Sequence, residues 1–115
     1  TPMVALSRNV KKKDAMKMLL TGEMIDAEEA KRISLINDYV VSEKLSVEVM
    51  NLAKKIASKS MKTVNIGKSA FYKQAELSLS DAYRYTSEVM AKNIMNDDAK
   101  EGIASFIEKR EPNWD

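Results

Sequence analysis

Only three glycines and two prolines interrupt 115 residues. A chain with so little turn punctuation reads as mostly helical, with short connections. The apolar spacing agrees. Residues Lys13 to Leu20 carry Ala15, Met16, Met18, Leu19 and Leu20, and Gly22 stands where a left-handed helix stop is wanted. Val49, Met50, Ala53, Ile56 and Ala57 recur at helical spacing, with Lys54, Lys55 and Lys59 near the opposite side.

Capping pairs mark where several helices begin. Asp26 with Glu29, Ser78 with Asp81, and Asp98 with Glu101 each have the spacing in which a side-chain oxygen meets the third helical residue. Met3 to Arg8 reads as the end of a helix closed by Asn9. Val64 to Ala75 reads as a helix interrupted by Gly67, at a cost of about 1 kcal/mol relative to alanine. That cost suggests close packing or a hinge there. Pro112 is expected to end the last helix. Tyr39-Val40-Val41 is the one strand candidate. The expected fold class is therefore all-α, with five or six short helices and at most one very short strand.

The residues that are missing exclude much chemistry. With no histidine and no cysteine, the chain has no Ser-His-Asp or Cys-His nucleophile, no disulfide, and no imidazole or thiolate metal site. No run approaches the roughly 18 apolar residues of a membrane span. Nineteen basic residues against seventeen acidic ones leave a net charge of +2, and the signs are interspersed, so no basic face for nucleic acid is expected. The chain opens Thr1-Pro2-Met3, which suits either a processed start or a piece of a longer protein.

Three stretches carry a resemblance. They are Ala15-Met16-Lys17-Met18-Leu19-Leu20-Thr21-Gly22-Glu23 with Ile25-Asp26-Ala27-Glu28-Glu29-Ala30; Leu35-Ile36-Asn37-Asp38-Tyr39-Val40-Val41; and Asp98-Ala99-Lys100-Glu101-Gly102-Ile103-Ala104-Ser105-Phe106-Ile107-Glu108-Lys109-Arg110 with Pro112 and Trp114. In that order they resemble the crotonase superfamily of enoyl-CoA hydratases and isomerases. Gly67 to Gln74 is most similar to the branch of enoyl-CoA hydratase domain-containing proteins. One departure is Ser34, where the family usually has glycine, so a serine is expected in left-handed geometry at some strain.

The resemblance implies that residues 1–115 are the C-terminal helical region of a crotonase-like protein, used for oligomerisation and for framing CoA. An upstream β/α core, absent here, would supply the two oxyanion-binding N–H groups and the catalytic glutamates, so no catalytic residue is assigned. Losing one oxyanion donor costs about 10²–10³ in rate, and the fragment alone is expected to be inactive. Phe106 and Lys109 match the positions that meet the CoA of a neighbouring subunit, the ring beside adenine and, three residues on along the same helix face, the ammonium near a phosphate. Phe106 also reads as core, beside Ile103 and Ile107.

No metal or redox cofactor is implied, CoA entering only as part of the substrate. The implied partners are acyl-CoA in the full-length parent and copies of the chain in a trimer or hexamer, with no nucleic acid and no membrane. The implied setting is intracellular fatty-acid metabolism, in a bacterial cytoplasm or a mitochondrial matrix. The alternative is a stand-alone, non-enzymatic helical interaction module. Bland readings suit the remaining features: Lys11-Lys12-Lys13 as a solvated loop, Glu28 and Glu29 as first-turn charges, and Asp97 and Asp98 as capping groups. Tyr83 and Tyr85 could stack locally around Arg84. Ser58, Lys59 and Ser60 lack an oxyanion motif, and Met16, Met18, Met50 and Met90 fit core or interface filling.

Overall fold

The computed structural model describes residues 2–114; Thr1 and Asp115, the two ends of the region read as 1–115, lie outside the described residues. Seven α-helices follow in order: α1 (Pro2–Asn9), α2 (Lys12–Thr21), α3 (Ala27–Arg32), α4 (Leu45–Ala57), α5 (Met61–Gln74), α6 (Leu79–Ile94) and α7 (Asp97–Glu108). A short 3₁₀ turn, Ser42–Lys44, precedes α4. The all-α expectation is met. The count among the described residues is seven rather than five or six, because the opening segment forms a full helix. Tyr39-Val40-Val41 forms no strand; among the described residues there is none, and the segment runs as an irregular connection. A three-residue run has no neighbouring strand to hydrogen-bond with, so extended backbone alone does not make a sheet.

The chain divides into two compact units, Thr1–Glu48 and Val49–Asp115. In the first, Val10, Ala15 and Ile33 form a small core against which Leu6, Met18 and Ile25 pack. Gly22 adopts φ 63° at the end of α2 and its N–H returns to Met18 O, the left-handed stop expected from the sequence. Asp26 caps α3, its carboxylate accepting the Glu29 N–H at 2.8 Å. After α3 the chain closes with Ser34 at φ 66° and the Leu35 N–H on Ala30 O at 2.9 Å. That six-to-one bond satisfies an orphan helix carbonyl in a Schellman closure, and it places a side chain where glycine is cheaper.

In the second unit α5 and α6 pack along each other and α7 lies against both. The buried positions on α5 and α6 are Ala70 and Ala82, small residues that let helix backbones approach closely. Lys73 Nζ sits 4.6 Å from the centre of the Tyr85 ring, a cation–π contact between the two helices. Ser78 caps α6 as expected, accepting the Asp81 N–H at 3.2 Å. Two boundaries move. α5 starts at Met61 because Ser60 caps it. A methyl group on Gly67 would meet nothing within 4 Å, so close packing is not the reason for that glycine. α7 is capped by Asn96, which accepts the Ala99 N–H at 3.1 Å, not by Asp98.

Among the described residues no large side chain is fully buried. α4 has no buried residue at all, although Leu45, Val49, Leu52 and Ile56 lie within one narrow stripe of its surface at 100° per residue.

Candidate functional site

The last helix and the residue just beyond it carry Phe106 and Lys109, for which the resemblance implies a binding role. Phe106 is 85% exposed, with Ile103 and Ile107 also open to solvent. The alternative reading of Phe106 as core is therefore not met within these residues. Lys109 is exposed as well, but it has left the helix: it is the left-handed C-cap at φ 54°, with its N–H returned to Phe106 and Ser105 carbonyls. The helix thus stops before Pro112 is reached, so the proline follows the stop rather than causing it. A shared face for Phe106 and Lys109 requires continuous helix. The geometry replaces it with a ring on the last turn and an ammonium on the reversal just beyond.

The tail then folds back. Arg110 binds Glu101 through both terminal nitrogens, at 2.5 and 3.0 Å, and the Asn113 N–H adds a third bond to Glu101 Oε1 at 2.8 Å. The Arg110 guanidinium, with the Asn113 N–H, pulls the Glu101 pKa down to about 2. Trp114 reaches across and donates its indole N–H to Ser58 O at 2.9 Å. Its ring lies 3.5 Å from where a side chain on Gly102 would begin.

At the opposite end of α7, Asp98 is 8% exposed and Ser60 is 4% exposed. Ser60 Oγ donates to Asp98 Oδ2 and accepts the Thr63 N–H at 3.1 Å. Asp98 is therefore the acceptor of a long-range bond between helices, where the sequence suggests a cap. An open, largely apolar cavity of about 430 Å³ lies beside this pair, lined in part by Val64, Ala99, Gly102 and Trp114.

The other singled-out residues fall into local roles. Glu29 is held by Arg32 at 2.6 Å, which lowers its pKa, while Glu28 stays in the first turn of α3. Lys11 precedes α2, but Lys12 and Lys13 lie in its first turn and not in a loop; all three are exposed. Arg84 pairs with Asp81 at 2.7 Å and does not bridge Tyr83 and Tyr85. Ser58 Oγ donates to Lys55 O at 2.8 Å, so Ser58, Lys59 and Ser60 form a structural turn. Met18 packs on the small core, but Met16, Met50 and Met90 are exposed. Among the described residues no group of three or more Asp and Glu side chains could hold a metal ion, and no helix is long and apolar enough to cross a membrane.

Sequence reasoning missed three contacts: Ser60 with Asp98, Ser58 with Trp114, and Glu101 with Arg110. None has helical spacing. The one available signal is a polar Asp98 on a helix start already served by Asn96.

Comparison with known proteins gives a consistent result. The family described as Enoyl-CoA hydratase/isomerase matches residues 2–115. The chain is 48% identical over 114 residues to the mitochondrial enoyl-CoA hydratase domain-containing protein 3 of Mus musculus, covering 99% of this chain and 38% of that protein. The Homo sapiens protein of the same description is 46% identical over 114 residues, again covering 99% of this chain and 38% of the relative. Among solved structures, an enoyl-CoA hydratase of Mycobacterium smegmatis superposes with a TM-score of 0.94 at 42% identity, over 98% of this chain and 44% of that one. The human enoyl Coenzyme A hydratase domain-containing protein 3 gives 0.92 at 45% identity, over 98% and 45%. The chain thus spans 38% of the length of these curated relatives.

Proposed function

We propose that this chain, which belongs to the enoyl-CoA hydratase/isomerase family, is the C-terminal helical region through which an acyl-CoA-handling protein self-associates and frames CoA. The observation that carries the reading is the apolar surface left uncovered. The α4 stripe has no buried member, and α7 turns Phe106, Ile103 and Ile107 to solvent. Surface of that kind stabilises an assembly when it is covered.

The chemistry of the parent is hydration or isomerisation of an enoyl thioester in fatty-acid metabolism. Negative charge gathers on the thioester oxygen as water or a proton is transferred, and it must be met by fixed N–H groups. A positioned carboxylate must move the proton. The exposed position of Phe106 suits an adenine ring, and Lys109 supplies one positive charge close by for a phosphate of a neighbouring subunit's CoA. The acid/base and oxyanion groups belong, in this reading, to another part of the family chain. Glu29 and Glu101 are committed to Arg32 and Arg110, which supports inactivity of these residues alone. Relatives named as mitochondrial, with a bacterial hydratase among the solved structures, support a mitochondrial matrix or bacterial cytoplasm.

Two measurements test this. Crotonyl-CoA offered to the purified chain should show no hydration above the uncatalysed rate, and substantial turnover would refute the inactive reading. Sedimentation should show concentration-dependent self-association. A strict monomer that binds no hydrophobic dye would refute the assembly role.

A further inference from the structure

We propose that the cavity between α5, α6 and α7, beside the Ser58–Ser60 turn, is a binding site for a small zwitterion with an apolar body, the chemical class of a free apolar α-amino acid. The cavity holds about 430 Å³, within the range of small-molecule sites. Val64, Ala99, Gly102 and the Trp114 ring give it an apolar wall, and Asp98 and Lys59 line it with opposite charges. The two charges do not close on each other: among the described residues neither enters an ion pair.

Asp98 is the group that points to a ligand. It is buried and its Oδ2 accepts the Ser60 hydroxyl, but Oδ1 has no hydrogen-bond partner among the described residues. No buried side-chain oxygen or nitrogen is left unsatisfied among them, so the open oxygen is the one the cavity reaches. A carboxylate oxygen beside an apolar wall is a strong acceptor for an ammonium, because low-dielectric surroundings strengthen the attraction. Ser60 and Thr63 do not compete for the ligand: Ser60 Oγ already accepts the Thr63 N–H, and the two hydroxyls lie 3.2 Å apart. An ammonium alone would be repelled by Lys59 across the same cavity. A carboxylate on the ligand, turned toward Lys59, removes that conflict, and an apolar side chain covers Trp114. The ring has a fixed orientation, since its indole N–H is bound to Ser58 O at 2.9 Å. An aromatic body can therefore pack against it offset or edge-on.

Trp114 is the single tryptophan and forms one wall, so its emission reports occupancy. L-phenylalanine added to the purified chain should change that emission saturably. Phenethylamine, which lacks the carboxylate, and hydrocinnamate, which lacks the ammonium, should each bind at least about tenfold more weakly, the loss of one hydrogen bond between charged groups. Lys59→Ala should weaken phenylalanine about tenfold and leave phenethylamine no weaker. Asp98→Asn, whose amide oxygen can still accept from Ser60, should weaken phenylalanine about tenfold and leave hydrocinnamate no weaker.

Ala99→Leu fills the cavity from a helix position where leucine is nearly as favourable as alanine, and should abolish binding of all three compounds. A chain with no saturable response to phenylalanine overturns the proposal, as does equal affinity for the three compounds. Unchanged phenylalanine affinity in Lys59→Ala, Asp98→Asn or Ala99→Leu, with helical circular dichroism retained, overturns it too. The compound series needs only the unmodified chain, so it decides the matter where a variant fails to fold. No readout depends on self-association, so a monomeric chain would count against the assembly reading and leave this test intact.

Discussion

Glu101 accepts both terminal nitrogens of Arg110, at 2.5 and 3.0 Å, from a position nine residues earlier in the chain. The pairing sets a pH limit on the tail. The folded carboxyl has its pKa lowered from 4.5 to about 2, so its contribution is fully present above the unfolded value and is lost as pH falls from about 4.5 through about 2. Trp114 emission should therefore hold from neutral pH through about 4.5 and red-shift only as pH falls through about 2, where the folded carboxyl itself protonates. Glu101→Gln should show the shifted emission already at neutral pH. Emission in the unmodified chain that shifts already at about pH 4.5, with the fold intact by circular dichroism, would contradict this.

Gly67 lies inside α5, and a methyl group there would meet nothing within 4 Å. Gly67→Ala should then stabilise the chain by about 0.5–1 kcal/mol, the helix-propensity difference with no steric offset. Urea denaturation followed by circular dichroism measures it. A loss of stability would mean that the position is occupied in solution by another surface.

Ser34 bears a left-handed cost after α3, at φ 66°, that glycine would not. Ser34→Gly should raise stability by up to about 1 kcal/mol, the relief being partly offset by glycine's larger unfolded-state entropy. A thermal melt that shows the variant less stable would indicate that the serine hydroxyl contributes more than the strain costs.

Ser78 holds the first turn of α6 through the Asp81 N–H, and replacing it with alanine should cost about 1 kcal/mol in a denaturant titration. Phe106→Ala should behave oppositely on two scales. Chain stability should change by less than about 0.5 kcal/mol, because an exposed ring supports little of the fold, while sedimentation should show weaker association. Equal loss on both scales would place the ring inside a core.

Local order is readable in the sequence and long-range order is not. Gly22, Asp26 and Ser78 act at distances of three or four residues, where backbone geometry fixes which atoms meet, and each acts as its spacing indicates. Asp98 also stands at a helix start, and spacing alone assigns it a cap. Asn96 takes that position, and the freed carboxylate looks outward to Ser60. No periodicity connects residue 60 with 98, or 58 with 114, since those pairs depend on how helices stack. Lys109 escapes for a related reason: a helix pattern does not announce that its last residue will turn left-handed. The absence of a strand at Tyr39-Val40-Val41 follows the same logic, because a strand is defined by a partner that the local sequence does not contain.

α4 has one further consequence. Thirteen residues are close to the shortest helix that water tolerates without tertiary support, and this one hides none of its side chains. Its winding is thus tied to arrival of whatever covers it, so melting temperature should climb as protein concentration rises. Dilution becomes, for this segment, a denaturant.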